Sequence, residues 1–185
     1  MTNNPAIKTF WQAYLDSLPP GAQPPSPTYE AWYFGDNERM ANELGHLVKS
    51  GVKTATCSML WEYEAEQEPI PQVGDLSIII DWAGQPLCLI ETIEVEIKPF
   101  NEVDAQFAYD EGEGDRSLVY WRQAHQSFFA RVCRAINREL PEDMPVVCER
   151  FHIIFTPQSS QTLPMKRNQP FIFDGTTQCR LGRDT

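Results

Sequence analysis

The 185-residue chain is short of the features that mark a membrane protein, a secreted protein or a duplex-DNA binder. It has no uninterrupted apolar run approaching the roughly 20 residues that a bilayer-spanning helix needs. Its start, Met1-Thr2-Asn3-Asn4-Pro5, has no basic run leading into an apolar stretch. Neither a spanning segment nor a secretory signal is therefore expected, and a cytoplasmic location is. Basic side chains are scarce: 15 Lys and Arg stand against 26 Asp and Glu, giving a net charge of −11 and a pI near 4.7. Broad duplex binding neutralises many phosphates at once, which so acidic a chain is poorly equipped to do, although a local basic cleft remains compatible with it. Cys57, Cys88, Cys133, Cys148 and Cys179 are odd in number and scattered, with no C-x-x-C and no Cys/His pairing at zinc spacing. No disulfide framework and no metal ligand set follow from them.

What the chain does have is an ordinary globular composition, 42% hydrophobic and 22% charged, and a sequence of short amphipathic segments. Residues Ala6 to Leu18 place Ile7, Phe10, Trp11, Tyr14 and Leu18 at helical spacing, stopped by Pro19-Pro20-Gly21. A proline-rich connector leads to an aromatic, extended Tyr29 to Phe34. A second helix is predicted from about Asn37 to Ser50, closed by Gly51 at the position where a left-handed residue ends a helix. A short helix over Ser58 to Gln67, a strand Leu76 to Asp81, a hairpin loop at Trp82 to Gln85 and a returning strand Leu87 to Ile97 follow. Phe100 to Tyr109 reads as a helix capped by Asn101, running into an acidic loop, Asp110 to Asp115. The longest helix is expected over about Ser117 to Leu140, with Ile136 on its apolar face, and a last strand over Val146 to Phe155. Beyond Thr156 the polar composition predicts an extension without a packed core. Helices and an antiparallel hairpin in irregular order place the chain in the α+β class.

Three features bear on chemistry. The stretch Gly51-Val52-Lys53-Thr54-Ala55-Thr56-Cys57-Ser58 sets one cation among hydroxyls just after a helix stop. If it is extended, Thr54, Thr56 and Ser58 face one way and Lys53 and Cys57 the other, unless the turn swings Lys53 back. Such a lysine can bind phosphate or assist a nucleophile such as Thr56, while spacing alone fits an exposed lysine beside strand-forming threonines. The acidic loop, with Asp110, Glu111, Glu113 and Asp115, can hold a divalent cation, supply a base, or simply solvate and cap the long helix. On that helix His125 sits with Trp121 and Phe128 and reads as a core residue, while Arg122, Arg131, Arg134 and Arg138, with Arg116 just before the helix, offer an anion-lining face or ordinary solvation. Trp61 is among the aromatics able to stack on a base.

The order of these motifs is familiar. Tyr29 to Asp36 precedes a helix. Then come Ser50-Gly-Val-Lys-Thr-Ala-Thr56, the Val73-Gly-Asp75 turn, Ile90-Glu-Thr92, Phe107 to Asp115, and Glu142 to Phe151. Together they resemble the ASCH (activating signal cointegrator homology) domain family in its longer bacterial form, over about Tyr29 to Phe155. The resemblance implies a PUA-like β-barrel with helices packed around it, and three segments: an N-terminal helix and connector (1–28), the ASCH domain (29–156) and a C-terminal extension (157–185). It implies a cleft holding Lys53 and a link to RNA binding, to RNA cleavage aided by a divalent cation such as Mg²⁺, or to amide hydrolysis of acetylated cytidine. In the small amidohydrolase relatives a lysine, a threonine and a glutamate act together. These carry over to Lys53, Thr56 and Glu111, with Glu113 as the alternate glutamate. Those relatives usually have an arginine two residues after the threonine, where this chain has Ser58.

Three functions follow as expectations. The first is an RNA- or nucleotide-binding protein, with Lys53 on a phosphate and single-stranded RNA cleaved either with Mg²⁺ held by the acidic loop or by a general base acting on the ribose 2′-hydroxyl. The second is a hydrolase of acylated cytidine nucleosides that uses Lys53, Thr56 and Glu111. The third is a binding module without turnover. In each, Ser58, Trp61, Glu113, Arg116, Trp121 and Arg122 are the candidate ligand contacts.

Overall fold

The structure, a computed structural model, describes residues 4–135 and 137–157. Its centre is one mixed five-stranded sheet in the order β1-β3-β4-β5-β2: Glu30–Trp32 (β1), Ala55–Met59 (β2), Leu76–Ile80 (β3), Pro86–Pro99 (β4) and Pro145–Phe155 (β5). Only β1 and β3 run parallel; the other pairs are antiparallel. Two register shifts in the long β4–β5 ladder increase its local bend. The sheet curves as a half-barrel of the α+β, PUA-like type, and five α-helices accompany it among the described residues.

Each helix is placed by its own end signals. Asn4 accepts a hydrogen bond from the Ala6 amide and caps Pro5–Ser17 (α1), with proline at the first helical position, where no amide is missed. The apolar face of α1 packs Ile7, Phe10 and Tyr14 against Leu76, Ile78, Ile80 and Leu89 of the sheet. Asn37 caps Glu38–Lys49 (α2), which lays Leu44 and Val48 on Ile79, Cys88 and Ile90. On the opposite side Ala55, Cys57, Met59, Val146 and Cys148 meet Phe107, Trp121 and Phe129 from the last two helices. Two helix-bearing faces thus flank the sheet, and the edge strand β2 joins it through β5 alone.

Three expected boundaries move. The segment predicted as one helix from Phe100 is a short 3₁₀ turn, Phe100–Glu102, followed by a separate helix, Ala105–Glu111 (α4). Asp104 caps α4 by accepting from the Phe107 amide; Asn101 lies inside the preceding turn and caps nothing. Asp110 and Glu111 consequently belong to the last turn of α4 and not to a loop. Strand β2 runs through Met59, so the next helix is Leu60–Glu66 (α3) and Ser58 is a strand residue. The long helix is Leu118–Ala135 (α5), and a left-handed Asn137 with a turn takes the place of its expected last residues. The expectations for Ile136 and for 158–185 fall outside the described residues.

Candidate active site

The site is built from two helix ends set back to back. Helix α2 closes with the Gly51 amide donating to the Val48 carbonyl (2.8 Å) and the Val52 amide to the Leu47 carbonyl (2.9 Å), Gly51 being left-handed at φ +74°. That paired closure is the Schellman motif, and it aims the chain sharply into Lys53 and β2. Helix α4 closes on Gly112, also left-handed at φ +73°. A Cβ on Gly112 would stand 2.6 Å from the Val52 carbonyl oxygen, so only glycine lets the two turns touch. The Thr54 amide donates to the Asp110 carbonyl (2.8 Å), and the Arg150 guanidinium reaches the Asp110 carboxylate. These bonds fix where the side chains of Lys53 and Glu111 meet.

Lys53 Nζ donates to Glu111 Oε2 at 2.6 Å and to Glu113 Oε1 at 2.8 Å. It also lies 5.3 Å from the centre of the Phe34 ring. The side chains of Lys53 and Glu111 are each 1% exposed, against 19% for Glu113. Burial by itself would strip the ammonium of its proton, but the two carboxylates outweigh it and raise its pKa to about 12. Burial likewise opposes ionisation of Glu111, and the neighbouring Lys53 and His125 overcome it, holding the carboxyl far below its ordinary value. The Trp121 indole N–H donates to Glu111 Oε1 (2.8 Å). His125 Nε2 stands 3.4 Å from the same oxygen, and its Nδ1 is 3.0 Å from the Trp121 carbonyl. A carbonyl only accepts, so Nδ1 carries a hydrogen. Glu111 is thus held by Lys53 and Trp121 with His125 beside it, whereas Glu113 is held by Lys53.

These groups line a pocket of about 100 Å³ whose remaining walls include Phe34, Met40, Leu44 and Phe128. Thr56 and Cys57 border it. In β2, Ala55, Cys57 and Met59 are buried and Thr56 and Ser58 half-buried, the alternation the sequence predicts. No hydrogen bond joins Lys53 to Thr56 among the described residues; the lysine turns to the glutamates. A larger trough of about 660 Å³ lies elsewhere, between α3 and the outer half of β4. It is wide and open, and its only charged lining residues are Glu64 and Glu68, so the smaller pocket is where the chemistry converges.

The pocket lining brings together Lys53, Thr56, Glu111 and Glu113, and the buried Trp121 is linked to it through its indole N–H bond to Glu111. The other expected contacts lie apart from it. Ser58 sits on β2 opposite Val147. Trp61 packs on the core beneath the Arg138 guanidinium, 4.7 Å away. Arg122 donates to the carbonyls of Asn101 and Val103, and Arg116 lies over the Tyr109 ring at 4.8 Å. Arg131 pairs with Asp36 and Arg138 with Glu64, so these arginines are engaged within the fold. The acidic stretch does not form a cation cage: Asp110 goes to Arg150, Glu111 and Glu113 to Lys53, and Asp115 caps Ser117. Among the described residues no group of three or more His, Cys, Asp or Glu side chains is arranged to hold a metal ion, and the carboxylates of this stretch are engaged by Lys53, Arg150 and the Ser117 amide. His125 and Phe34 were not singled out as site residues by their sequence context. The one available signal was the i, i+4 spacing of Trp121 and His125, which puts both on the face that meets Glu111.

The sequence matches the ASCH domain family over residues 30–155. The chain belongs to the ASCH domain family. Its fold is similar to the crystal structure of an ASCH domain from Lactobacillus crispatus, at 37% identity and a TM-score of 0.77, covering 81% of this chain and 94% of that one. It is also similar to a protein from Enterococcus faecalis V583 assigned to the family model DUF984, at 39% identity and a TM-score of 0.72, covering 80% and 88%. No curated protein matches the chain. The ASCH region begins at residue 30, yet α1 of this chain supplies part of the same sheet core. No helix among the described residues is long and apolar enough to cross a membrane.

Proposed function

We propose that the pocket takes an uncharged, nucleobase-sized ligand of the cytidine type and hydrolyses an acyl group from its exocyclic amine, with Lys53, Thr56 and Glu111 as the principal residues. The observation that carries this reading is the buried Lys53 ammonium between two carboxylates on the wall of a pocket of about 100 Å³. That volume suits a base and not a strand. Phe34 and Phe128 are among its walls, and a carboxylate beside the lysine matches the amino edge of cytosine. An ammonium already facing two carboxylates is a poor partner for a phosphate, which weighs against Lys53 as a backbone clamp.

Chemically, Lys53 stays protonated at neutral pH and cannot act as a resting base. Its role in this reading is to donate to the acyl oxygen as negative charge develops there. Glu111 keeps the ammonium in place. The Thr56 hydroxyl at the rim attacks the acyl carbon, its proton passes to the more open Glu113, and the C–N bond breaks as the amine leaves with a proton. Water then cleaves the acyl ester and the acid is released. A base carried on single-stranded RNA fits the same volume. The link of the ASCH family to RNA favours that source as the second reading, without a cation-assisted cleavage step.

The test is binding and turnover of N4-acetylcytidine, with acetate release measured. Wild type is expected to turn over, Lys53→Met to lose about a hundredfold or more in rate, and Thr56→Ala to lose acyl transfer. Unchanged turnover in folded Lys53→Met would overturn the reading. Lys53-dependent binding of a short single-stranded RNA, with the nucleoside left intact, would replace it by the RNA reading.

A further inference from the structure

Glu111 and Glu113 both bond to Lys53, but they are held very differently. Glu111 is 1% exposed, bonded to Lys53 and Trp121, and 3.4 Å from His125 Nε2. Glu113 is 19% exposed. Its backbone is nevertheless firmly placed: Gly112 fits against Val52, and a Cβ on Gly114 would meet the Tyr120 ring at 2.3 Å. Both glycines are left-handed, at φ +73° and +54°, and the Arg116 amide donates to the Glu113 carbonyl (2.9 Å). A fixed backbone therefore delivers one carboxylate, over Lys53, to a pocket that opens to solvent on that side. The oxygen of Glu113 at 2.8 Å occupies the place on the ammonium that an incoming anion would take. The titratable neighbours of that place are Glu111, held on the same ammonium, and His125 from α5.

We propose that Glu113 is the specificity-determining residue of the pocket, a built-in carboxylate that fills the anion position on Lys53 and so excludes phosphate- and carboxylate-bearing ligands. The proposal rests on the reading of the Lys53 pocket as a ligand site and deepens it by naming the class of ligand refused. An anion entering beside Lys53 meets two fixed negative charges against one positive, and like charges in such proximity are strongly disfavoured. A neutral acceptor, such as an amide carbonyl, meets no such penalty: it can take a further N–H of the ammonium while its own N–H faces Glu113.

The experiment measures binding of inorganic phosphate and of formate to wild type, Glu113→Gln and Glu113→Ala, by calorimetry and by the ligand-induced shift in melting temperature against chloride at equal ionic strength. Near-ultraviolet circular dichroism establishes that each variant is folded. Wild type is expected to bind both anions only weakly. Glu113→Ala is expected to bind both at least about tenfold more tightly than wild type, with formate replacing the missing carboxylate, and Glu113→Gln to bind phosphate with a smaller gain. Adding Lys53→Met to Glu113→Ala is expected to abolish the gain. Equal anion binding by wild type and both variants would overturn the proposal, as would a gain that survives Lys53→Met. Because the readout is anion binding and not turnover, the result stands or falls independently of whether N4-acetylcytidine is hydrolysed.

Discussion

Lys53 concentrates the energetic stakes of the site in one side chain. Its ammonium is buried with a carboxylate that is equally buried, and an ion pair of that kind gains little over a well-packed apolar pair but loses heavily when one member is removed. Lys53→Met leaves Glu111 ionised without its main counter-charge, and is expected to cost about 3 to 5 kcal/mol in chemical denaturation. A loss below about 1 kcal/mol would show that the pair is solvated in solution. The partnership of Lys53 with Glu111 could be anticipated only through the family resemblance, because the local spacing of either stretch fits a solvated lysine and a solvated acidic loop equally well. The place of His125 could not. A histidine among Trp121, Phe128 and Phe129 has the pattern of a core residue, and here it is one as well as a neighbour of Glu111. Arg122 fails for a related reason: a cation on an amphipathic helix looks free in sequence, whereas its partners are backbone carbonyls some 20 residues away.

Helix ends, more than helix bodies, set the geometry. Gly51 was legible because a left-handed glycine after an amphipathic run has few alternatives. Asp104 was missed as a cap because Asn101 offers the same chemistry three residues earlier, and only the packing of Phe100 and Val103 into the core decides between them. The two left-handed glycines separate conformation from crowding. Gly51→Ala adds a Cβ in open space, so its cost is the backbone strain alone, about 1 to 2 kcal/mol. Gly112→Ala carries the same strain and also drives a Cβ to 2.6 Å from the Val52 carbonyl, forcing the two turns apart. Thermal unfolding is expected to rank Gly112→Ala clearly below Gly51→Ala. Loss of any ligand binding should accompany only the former, since it alone shifts Glu111 and Glu113 relative to Lys53. Equal melting temperatures would mean that the turns do not abut.

The molecule as a whole carries its acidity unevenly, and its stability should follow pH through two opposed carboxyls. Glu111 titrates far below its unfolded value of 4.5, at about 2, so its contribution is fully present above 4.5 and is lost as pH falls through 2. Glu149 on β5 behaves the other way. Burial, against a hydrogen bond from Thr92 and beside the charges of Asp75 and Glu30, pushes it up to about 7. Its contribution is full below 4.5 and declines as pH rises through 7. Glu149→Gln is therefore expected to leave stability near pH 4.5 almost unchanged and to raise it by roughly 3 kcal/mol at pH 8. A pH-independent effect in urea denaturation would contradict this. The α+β class was readable from segment order alone. The strand order was not, because β2 and β5 lie far apart in sequence and nothing local marks them as neighbours.

That separation has a consequence for how the protein is made. Ala55 pairs with Arg150, about 95 residues further along, and β2 has no other strand beside it. A ribosome adding about 5 to 20 residues per second exposes the lysine-bearing segment for roughly 5 to 20 s before its partner strand emerges. α1, β1, β3 and most of β4 can meanwhile assemble on one another. β2 joins the sheet only when β5 pairs between it and β4, so the lysine-bearing edge is the last part of the sheet to close.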